Sequence, residues 1–331
     1  MTRSEIRQAL ERPAAHAEDL FAEARRLRRD VFGDQVFLYG FIYASTYCQN
    51  NCRFCYSRRD NRAARRYRKT DAEILSHAEA LAQTGVHLVD VTSGEDAVLS
   101  GKDPGRLFRA VKRHAGLPVM ASLGVLDSPA LRDADWYACY QETHNRHLFA
   151  QLRPGQDFDR RFNSKVAARR AGLLIEEGLL TGISDTADDL ADSIEAMADL
   201  EADQVRVMSF VPQAGTPLAG AAASASIRER VIIALLRIAF PDRLIPASLD
   251  VAGLAGLRER LEAGANVVTS IIPPGTGLAG VANDSLDIEN GGRTPTAVRP
   301  VLDQCGLRPA RLDEYRQWLA ARKARRTCGS R

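Results

Sequence analysis

Eight apolar runs of strand length recur along the chain, at 36–45, 86–92, 117–124, 136–143, 173–183, 203–212, 244–250 and 266–274. Helical patterns fill most of the gaps, clearest at 71–85, 103–116, 159–172, 186–200 and 226–240, and several end at glycine. Strand and helix in such alternation predict a parallel (β/α)8 barrel, an α/β fold of the TIM type, with reactive residues at the carboxyl ends of the strands. A doubly wound open sheet is the alternative. The barrel is expected over 36–290, after a charged helical extension at 1–35 and before closing helices and a tail at 291–331. A Gly/Asp/Asn-rich stretch at 273–295 leads into those helices, near 296–305 and 311–325.

At 331 residues, with 45% hydrophobic and 26% charged side chains, the chain can bury one large core. A formal net charge of +3 gives no global field for nucleic acid. The locally basic "RRDNRAARRYRK" at 58–69 reads as a solvated loop face. No apolar stretch approaches the roughly 18 residues that span a membrane, and the first residues lack the apolar core of a secretion signal. A soluble, cytoplasmic protein with no nucleic-acid or membrane partner is expected, and a monomer.

In that reducing setting, clustered thiols bind metal or do chemistry more often than they form disulfides. The stretch "YASTYCQNNCRFCYSRRD" holds Cys48, Cys52 and Cys55, three of six cysteines, directly after the first strand. Structural zinc wants four ligands in two paired clusters, and no second CxxC exists; the polar flanks argue against packed, inert thiols. Three thiolates suit an iron–sulfur cluster with one iron left open to a substrate or cofactor.

Other charges sit inside apolar runs. Arg206 lies within "VRVMSF" and Asp90 within "LVDVT", and a charge in a strand buried on both faces needs an opposite. Ser248 and Asp250 share one face of the seventh run. An arginine with separate carboxylates suits a zwitterionic substrate carrying an extra amine, and an internal salt-bridge network is the alternative.

The spacing CxxxCxxC, with Phe54 before the last cysteine and the loop placed after strand 1, resembles the radical S-adenosylmethionine (radical SAM) superfamily. The resemblance implies a 4Fe-4S cluster on Cys48, Cys52 and Cys55, with S-adenosylmethionine chelated to the unique iron. "TSGED" at 92–96 is similar to that superfamily's Gly-Gly-Glu segment, with Ser93 in place of the first glycine and Gly94 and Glu95 matching; an ordinary polar turn is the other reading. Glu142 and Arg161 fall where biotin-synthase-like and hydrogenase-maturase-like relatives contact the cofactor, and Ser122 at the end of strand 3 joins them as a polar contact. For Arg161 a solvent-facing helix charge is the alternative.

The segments "FLYGFIYASTYCQNNCRFCY", "LVDVTSGED", "YQETHNRHLFAQLRPGQDFD", "VRVMSFVPQAGTPL", "RLIPASLDVAGL" and "GANVVTSIIPP" resemble the methylornithine synthase family of pyrrolysine biosynthesis. That family isomerises L-lysine to (3R)-3-methyl-D-ornithine. The resemblance implies hydrogen abstraction by a 5′-deoxyadenosyl radical, fragmentation to a glycyl radical and an aminobutene, and recombination at the other alkene carbon. It further implies that Arg206 holds the substrate carboxylate, that Asp90, Asp250 and Ser248 hold its amino groups, and that an external one-electron reductant of flavodoxin or ferredoxin type drives the cluster. Two other functions are weighed beside it: a relative that rearranges another amino acid, and a zinc-dependent nucleic-acid-binding protein. A biotin-synthase-like sulfur inserter lacks ligands for a second cluster, since Cys139 alone lies on a strand.

Overall fold

The computed structural model describes residues 1–12, 17–273 and 292–328. Strands β1 (Gln35–Ser45), β2 (Leu88–Ser93), β3 (Val119–Ser122), β4 (Trp136–Ala138), β5 (Leu174–Thr181), β6 (Gln204–Ser209), β7 (Pro246–Ser248) and β8 (Val267–Ile271) answer the eight apolar runs. All pair in parallel, in the order β6-β5-β4-β3-β2-β1-β8-β7. A single bridge between Gln204 and Leu244 joins β6 to β7 at their starts and rounds the sheet into the expected barrel.

The helices follow the sequence closely: α1 (Arg3–Glu11) and α2 (Glu18–Phe32) precede β1, and α3 (Asp71–Ala82) follows it. The α3 start is fixed by a reciprocal cap, in which Thr70 accepts from the Glu73 N–H and Glu73 accepts from the Thr70 N–H at 2.7 Å. Short α4 (Ala97–Gly101) leads to α5 (Pro104–Ala115), which starts on Asp103 and Pro104 and stops at Gly116, whose φ of 65° a side chain would strain. Then come α6 (Arg146–Leu152), α7 (Phe158–Arg170), α8 (Ala187–Asp199), α9 (Ser226–Ala239), α10 (Leu249–Ala252) and α11 (Leu257–Glu262). Helices α4, α6, α10 and α11 are too short to leave a 3.6-residue period in the sequence. After them α12 (Pro295–Gln304) and α13 (Leu312–Cys328) flank the two-residue β9 (Arg308–Pro309), which pairs with the start of β1. The expected 290/291 boundary, with most of the Gly/Asp/Asn-rich stretch, lies outside the described residues.

Side chains alternate across each strand. Val36, Leu38, Val89, Ile175 and Val205 face the helices, while Phe37, Leu88, Trp136, Leu174 and Val267 face the lumen. The lumen is layered: two residues further along, the apolar Leu88, Leu174 and Val267 give way to Asp90, Glu176 and Thr269, and Gln204 gives way to Arg206. Helix α13 stops the barrel's lower end with Tyr315, Trp318 and Leu319; Trp318 stacks on Trp136 at 5.9 Å, and Tyr315 meets Tyr39 hydroxyl to hydroxyl at 3.1 Å. His87 belongs to this floor. Its Nδ1 accepts from the Leu38 N–H and its Nε2 donates to the Ala310 carbonyl, both at 2.8 Å, while burial holds it neutral.

Three placements differ from the sequence reading. Strand β7 ends at Ser248, so Asp250 stands in the first turn of α10 rather than beside Ser248 on a strand; the Ser248 hydroxyl caps that turn by accepting the Asp250 N–H at 3.2 Å. Strand β4 stops at Ala138, and Glu142 lies beyond it on an isolated bridge to Leu179, with a left-handed φ of 68°. The basic run is only partly a solvated face. Arg66 turns inward onto the carbonyls of Thr46, Ser57, Arg58 and Asn61, and Arg68 pairs with buried Asp96 at 2.6 Å.

Candidate active site

A cavity of about 260 Å³ opens above the charged layer. Cys48, Cys52 and Cys55 line it, as do Ser93, Glu95, Ser122, Glu142, Arg161, Asp90, Arg206 and Asp250. Of the residues singled out in the sequence, Ser248 alone is not on the wall; it stands behind Asp250, 3.2 Å from the Ser270 hydroxyl.

The thiol loop is held tightly. Gly94 packs so close that a Cβ there would stand 2.6 Å from the Tyr47 carbonyl and 2.7 Å from the Cys48 Cβ. The Gln49 N–H donates to the Glu95 carbonyl at 2.9 Å, which fastens the loop to the end of β2. Donors point at two sulfurs: the Asn50 N–H at Cys48 (3.4 Å), and Gln156 Nε2 and Arg153 Nη1 at Cys52 (3.1 and 3.5 Å). Burial pushes the Cys48 thiol up, and burial with Cys52 and Cys48 alongside pushes Cys55 to about 12. Cys48 and Cys55 therefore need a cation beside them to ionise. No three His, Cys, Asp or Glu side chains among the described residues converge as a single ion requires. Three thiols brought to the wall of one cavity by a single loop suit an iron–sulfur cluster with one iron left open.

Around the mouth, acids and arginines are paired. Arg161 Nη1 donates to Glu95 at 2.6 Å and its Nε to the Tyr140 carbonyl at 2.7 Å. Burial raises the Glu95 carboxyl, but Arg161, Asn50 and Arg153 outweigh it and hold the group below its usual range. Arg153 bonds Glu142 at 2.7 Å and covers the Phe54 ring at 5.3 Å. Arg161 is thus a buried ion-pair partner and not a solvent-facing charge.

Deeper in, Arg206 Nε donates to Glu176 at 2.6 Å and Nη1 to the Thr269 hydroxyl at 3.3 Å, while Nη2 has no hydrogen-bond partner among the described residues. The Tyr140 hydroxyl holds the other Glu176 oxygen at 2.9 Å; its ring fits because Gly178 opposite has no Cβ to meet it. Asp250 accepts from Tyr43 (2.8 Å), Ser270 (2.7 Å) and Arg293 (2.5 Å). Asp90 is different. It is fully buried and neither oxygen has a hydrogen-bond partner among the described residues; the Ser122 hydroxyl stands by without closing one. Burial pushes its pKa well above the ordinary carboxylate range. Among the described residues of this layer, Glu176 pairs with Arg206 and Asp250 with Arg293, and the third carboxyl, Asp90, has no cation paired with it and is kept protonated by burial.

The internal network expected as an alternative is therefore present for Arg206 and Asp250, and absent for Asp90. Glu176, Tyr140, Arg153, Gln156 and Arg293 are site residues that the sequence does not announce. Glu176 carries the same signal as Arg206, an ion inside the apolar run "LLIEEGLLTGI", but of its two acids only Glu176 faces the lumen, while Glu177 turns outward to Lys165.

A model of the radical SAM superfamily matches residues 42–197. The chain is 43% identical over 306 residues to a 3-methylornithine synthase of Methanosarcina barkeri strain Fusaro, covering 90% of this chain and 87% of that one. It is 32% identical to the [FeFe] hydrogenase maturase subunit HydE of Thermotoga maritima, over 76% of this chain and 74% of that one. Among solved structures, a crystal structure of methylornithine synthase superposes with a TM-score of 0.91 at 41% identity and covers 96% of each chain. The chain belongs to the 3-methylornithine synthase family of the radical SAM superfamily.

Proposed function

We propose that this enzyme isomerises L-lysine to (3R)-3-methyl-D-ornithine, the mutase step of pyrrolysine biosynthesis, inside the barrel. The observation that carries the choice of substrate is the buried carboxyl of Asp90, which lines the same cavity as the Arg206 guanidinium and, like Arg206 Nη2, has no hydrogen-bond partner among the described residues. Lysine has one more ammonium than carboxylate, and so brings a cation against which Asp90 can ionise.

Cys48, Cys52 and Cys55 would hold a four-iron cluster, which together with S-adenosylmethionine would supply the radical chemistry that takes hydrogen from the substrate. Arg153 and Gln156 then offset the negative charge on Cys52. Glu95 and Arg161 already form an ion pair, and the amino-acid end of the cofactor carries the same two charges in reverse, so it can exchange with them. Ser93, Ser122 and Glu142 complete that wall. Arg206 Nη2 takes the lysine α-carboxylate, while Asp90 takes an ammonium and gives up the proton that burial imposes on it. Asp250, with most of its lone pairs filled, offers its remaining one to the second ammonium, and Ser248 sets its orientation. Two anchors at opposite charges keep both ends of a cleaved skeleton in place for rejoining, and the aromatic floor keeps water out.

No helix among the described residues is long and apolar enough to cross a membrane. Five described cysteines are free thiols, which suits a reducing cytoplasm. The working unit is taken as a monomer served by an external one-electron donor.

The test is anaerobic incubation of reconstituted protein with S-adenosylmethionine, reductant and lysine, followed by derivatisation and mass spectrometry. Conversion to an isomer of lysine mass with the 3-methylornithine fragmentation pattern supports the proposal. Lysine returned unchanged while 5′-deoxyadenosine accumulates would transfer the reading to another amino acid.

A further inference from the structure

The basic run at 58–69 has two faces, and the inner one frames the thiol loop. Arg66 gathers the carbonyls of Thr46, Ser57, Arg58 and Asn61, the Arg59 N–H donates to the Asn50 carbonyl at 2.8 Å, and Asn61 bonds the carbonyls of Tyr56 and Ala214 at 2.8 and 2.9 Å. The outer face is set rigidly as a result. It exposes Arg53, Arg59, Arg62 and Arg65 against one exposed acid of the same loop, Asp60.

An independent observation marks the same region. The described residues leave four large hydrophobic side chains exposed, and two of them, Tyr47 and Val98, flank this loop. They are linked through Arg68, which lies 4.6 Å over the Tyr47 ring and pairs with Asp96, the residue whose carboxylate caps the Val98 N–H at 3.0 Å. In the same segment Cys48 and Cys55 are half-buried on the cavity wall, whereas Cys52 is buried. The segment that carries the thiols therefore also carries the exposed Tyr47 and Arg53, and runs straight into the arginine-rich loop.

We infer that the exposed Arg53, Arg59, Arg62 and Arg65, together with Tyr47 of the same segment, form the docking surface for an acidic one-electron carrier protein, through which electrons reach the thiol-held cluster. The inference rests on the cluster reading given above. Exposed like charges held on a rigid frame steer an oppositely charged partner, and an apolar centre gives the encounter a desolvated contact. Nucleic acid is the less favoured occupant, because the charge is confined to one loop of a chain whose net charge is only +3.

The experiment follows the bleaching of cluster absorbance by stopped flow, with reduced flavodoxin as donor across a range of salt concentrations. It compares reconstituted wild-type protein with R59E/R62E/R65E and with the milder R59Q/R62Q/R65Q. The expected result is bleaching about tenfold slower in the charge-reversed protein, with the salt dependence lost and the neutral variant in between. Titrating oxidised flavodoxin should show weakened binding in the same order. Bleaching by photoreduced 5-deazariboflavin, a small uncharged donor, should be the same in all three, which also shows that the variants fold and load iron. Equal rates and equal salt slopes with flavodoxin would overturn the docking surface alone. Wild-type protein that shows no cluster absorbance to bleach would overturn the cluster reading with it. Loss of binding to a random oligonucleotide in the variants, with flavodoxin bleaching unchanged, would reassign the surface to nucleic acid.

Discussion

Arg206 Nε lies 2.6 Å from Glu176 Oε1, so the guanidinium that faces the cavity is turned by an acid on the neighbouring strand. Glu176 is itself fixed by the Tyr140 hydroxyl. The pair leaves Arg206 Nη2 without a hydrogen-bond partner among the described residues and leaves little rotational freedom to the guanidinium.

Glu176→Gln keeps the shape and one acceptor but removes the charge. Arg206 should then be less well aimed, raising KM for lysine about tenfold or more, with iron content and 5′-deoxyadenosine formation without lysine unchanged. Glu176→Ala strands a buried cation and should cost about 3–5 kcal/mol in denaturant titrations.

Asp90 makes stability and binding depend on pH in a defined direction. Its folded pKa is raised by burial, so the folded protein keeps a proton that the unfolded chain releases near pH 4. Stability is thus unaffected below that pH and declines as pH rises toward the folded value; Asp90→Asn should remove this decline and gain on wild type as pH increases. Lysine binding should release a proton in the wild type and not in the variant, which calorimetry in buffers of different ionisation enthalpy reads directly.

The donors to Cys52 should tune the cluster. Gln156→Leu removes a 3.1 Å hydrogen bond to the sulfur and should lower the reduction potential by tens of millivolts, as redox titration followed by EPR would show. An unchanged potential would mean that the amide does not act on the sulfur.

Gly94→Ala tests the fit between β2 and the thiol loop. Its methyl would meet the Tyr47 carbonyl at 2.6 Å, a backbone atom that cannot swing away. The loop must shift, at about 1–3 kcal/mol, and iron bound after reconstitution should fall by more than half while circular dichroism is retained.

Much of this was legible in the residues. Strands buried on both faces announce themselves as apolar runs, so all eight could be counted, and ions such as Asp90 and Arg206 stand out against them. Pairing is another matter. Arg161 meets Glu95 across 66 positions and Arg293 meets Asp250 across 43, contacts made by the closing of the barrel and not by local spacing. The turn that moves Asp250 from strand to helix is equally hidden, because "ASLDVAG" reads as an alternating strand until the Ser248 hydroxyl captures the Asp250 N–H.

The floor under the lumen has a consequence for how this enzyme fails. Tyr315, Trp318 and Leu319 belong to α13, which β9 and ion pairs such as Arg322 with Asp203 at 2.8 Å tie to the barrel from outside the main sheet. A cork of this kind can loosen while the vessel stays whole. On gentle heating, turnover should disappear before the far-ultraviolet signal of the sheet, because one helix peeling away is enough to flood the chamber in which the radical must survive.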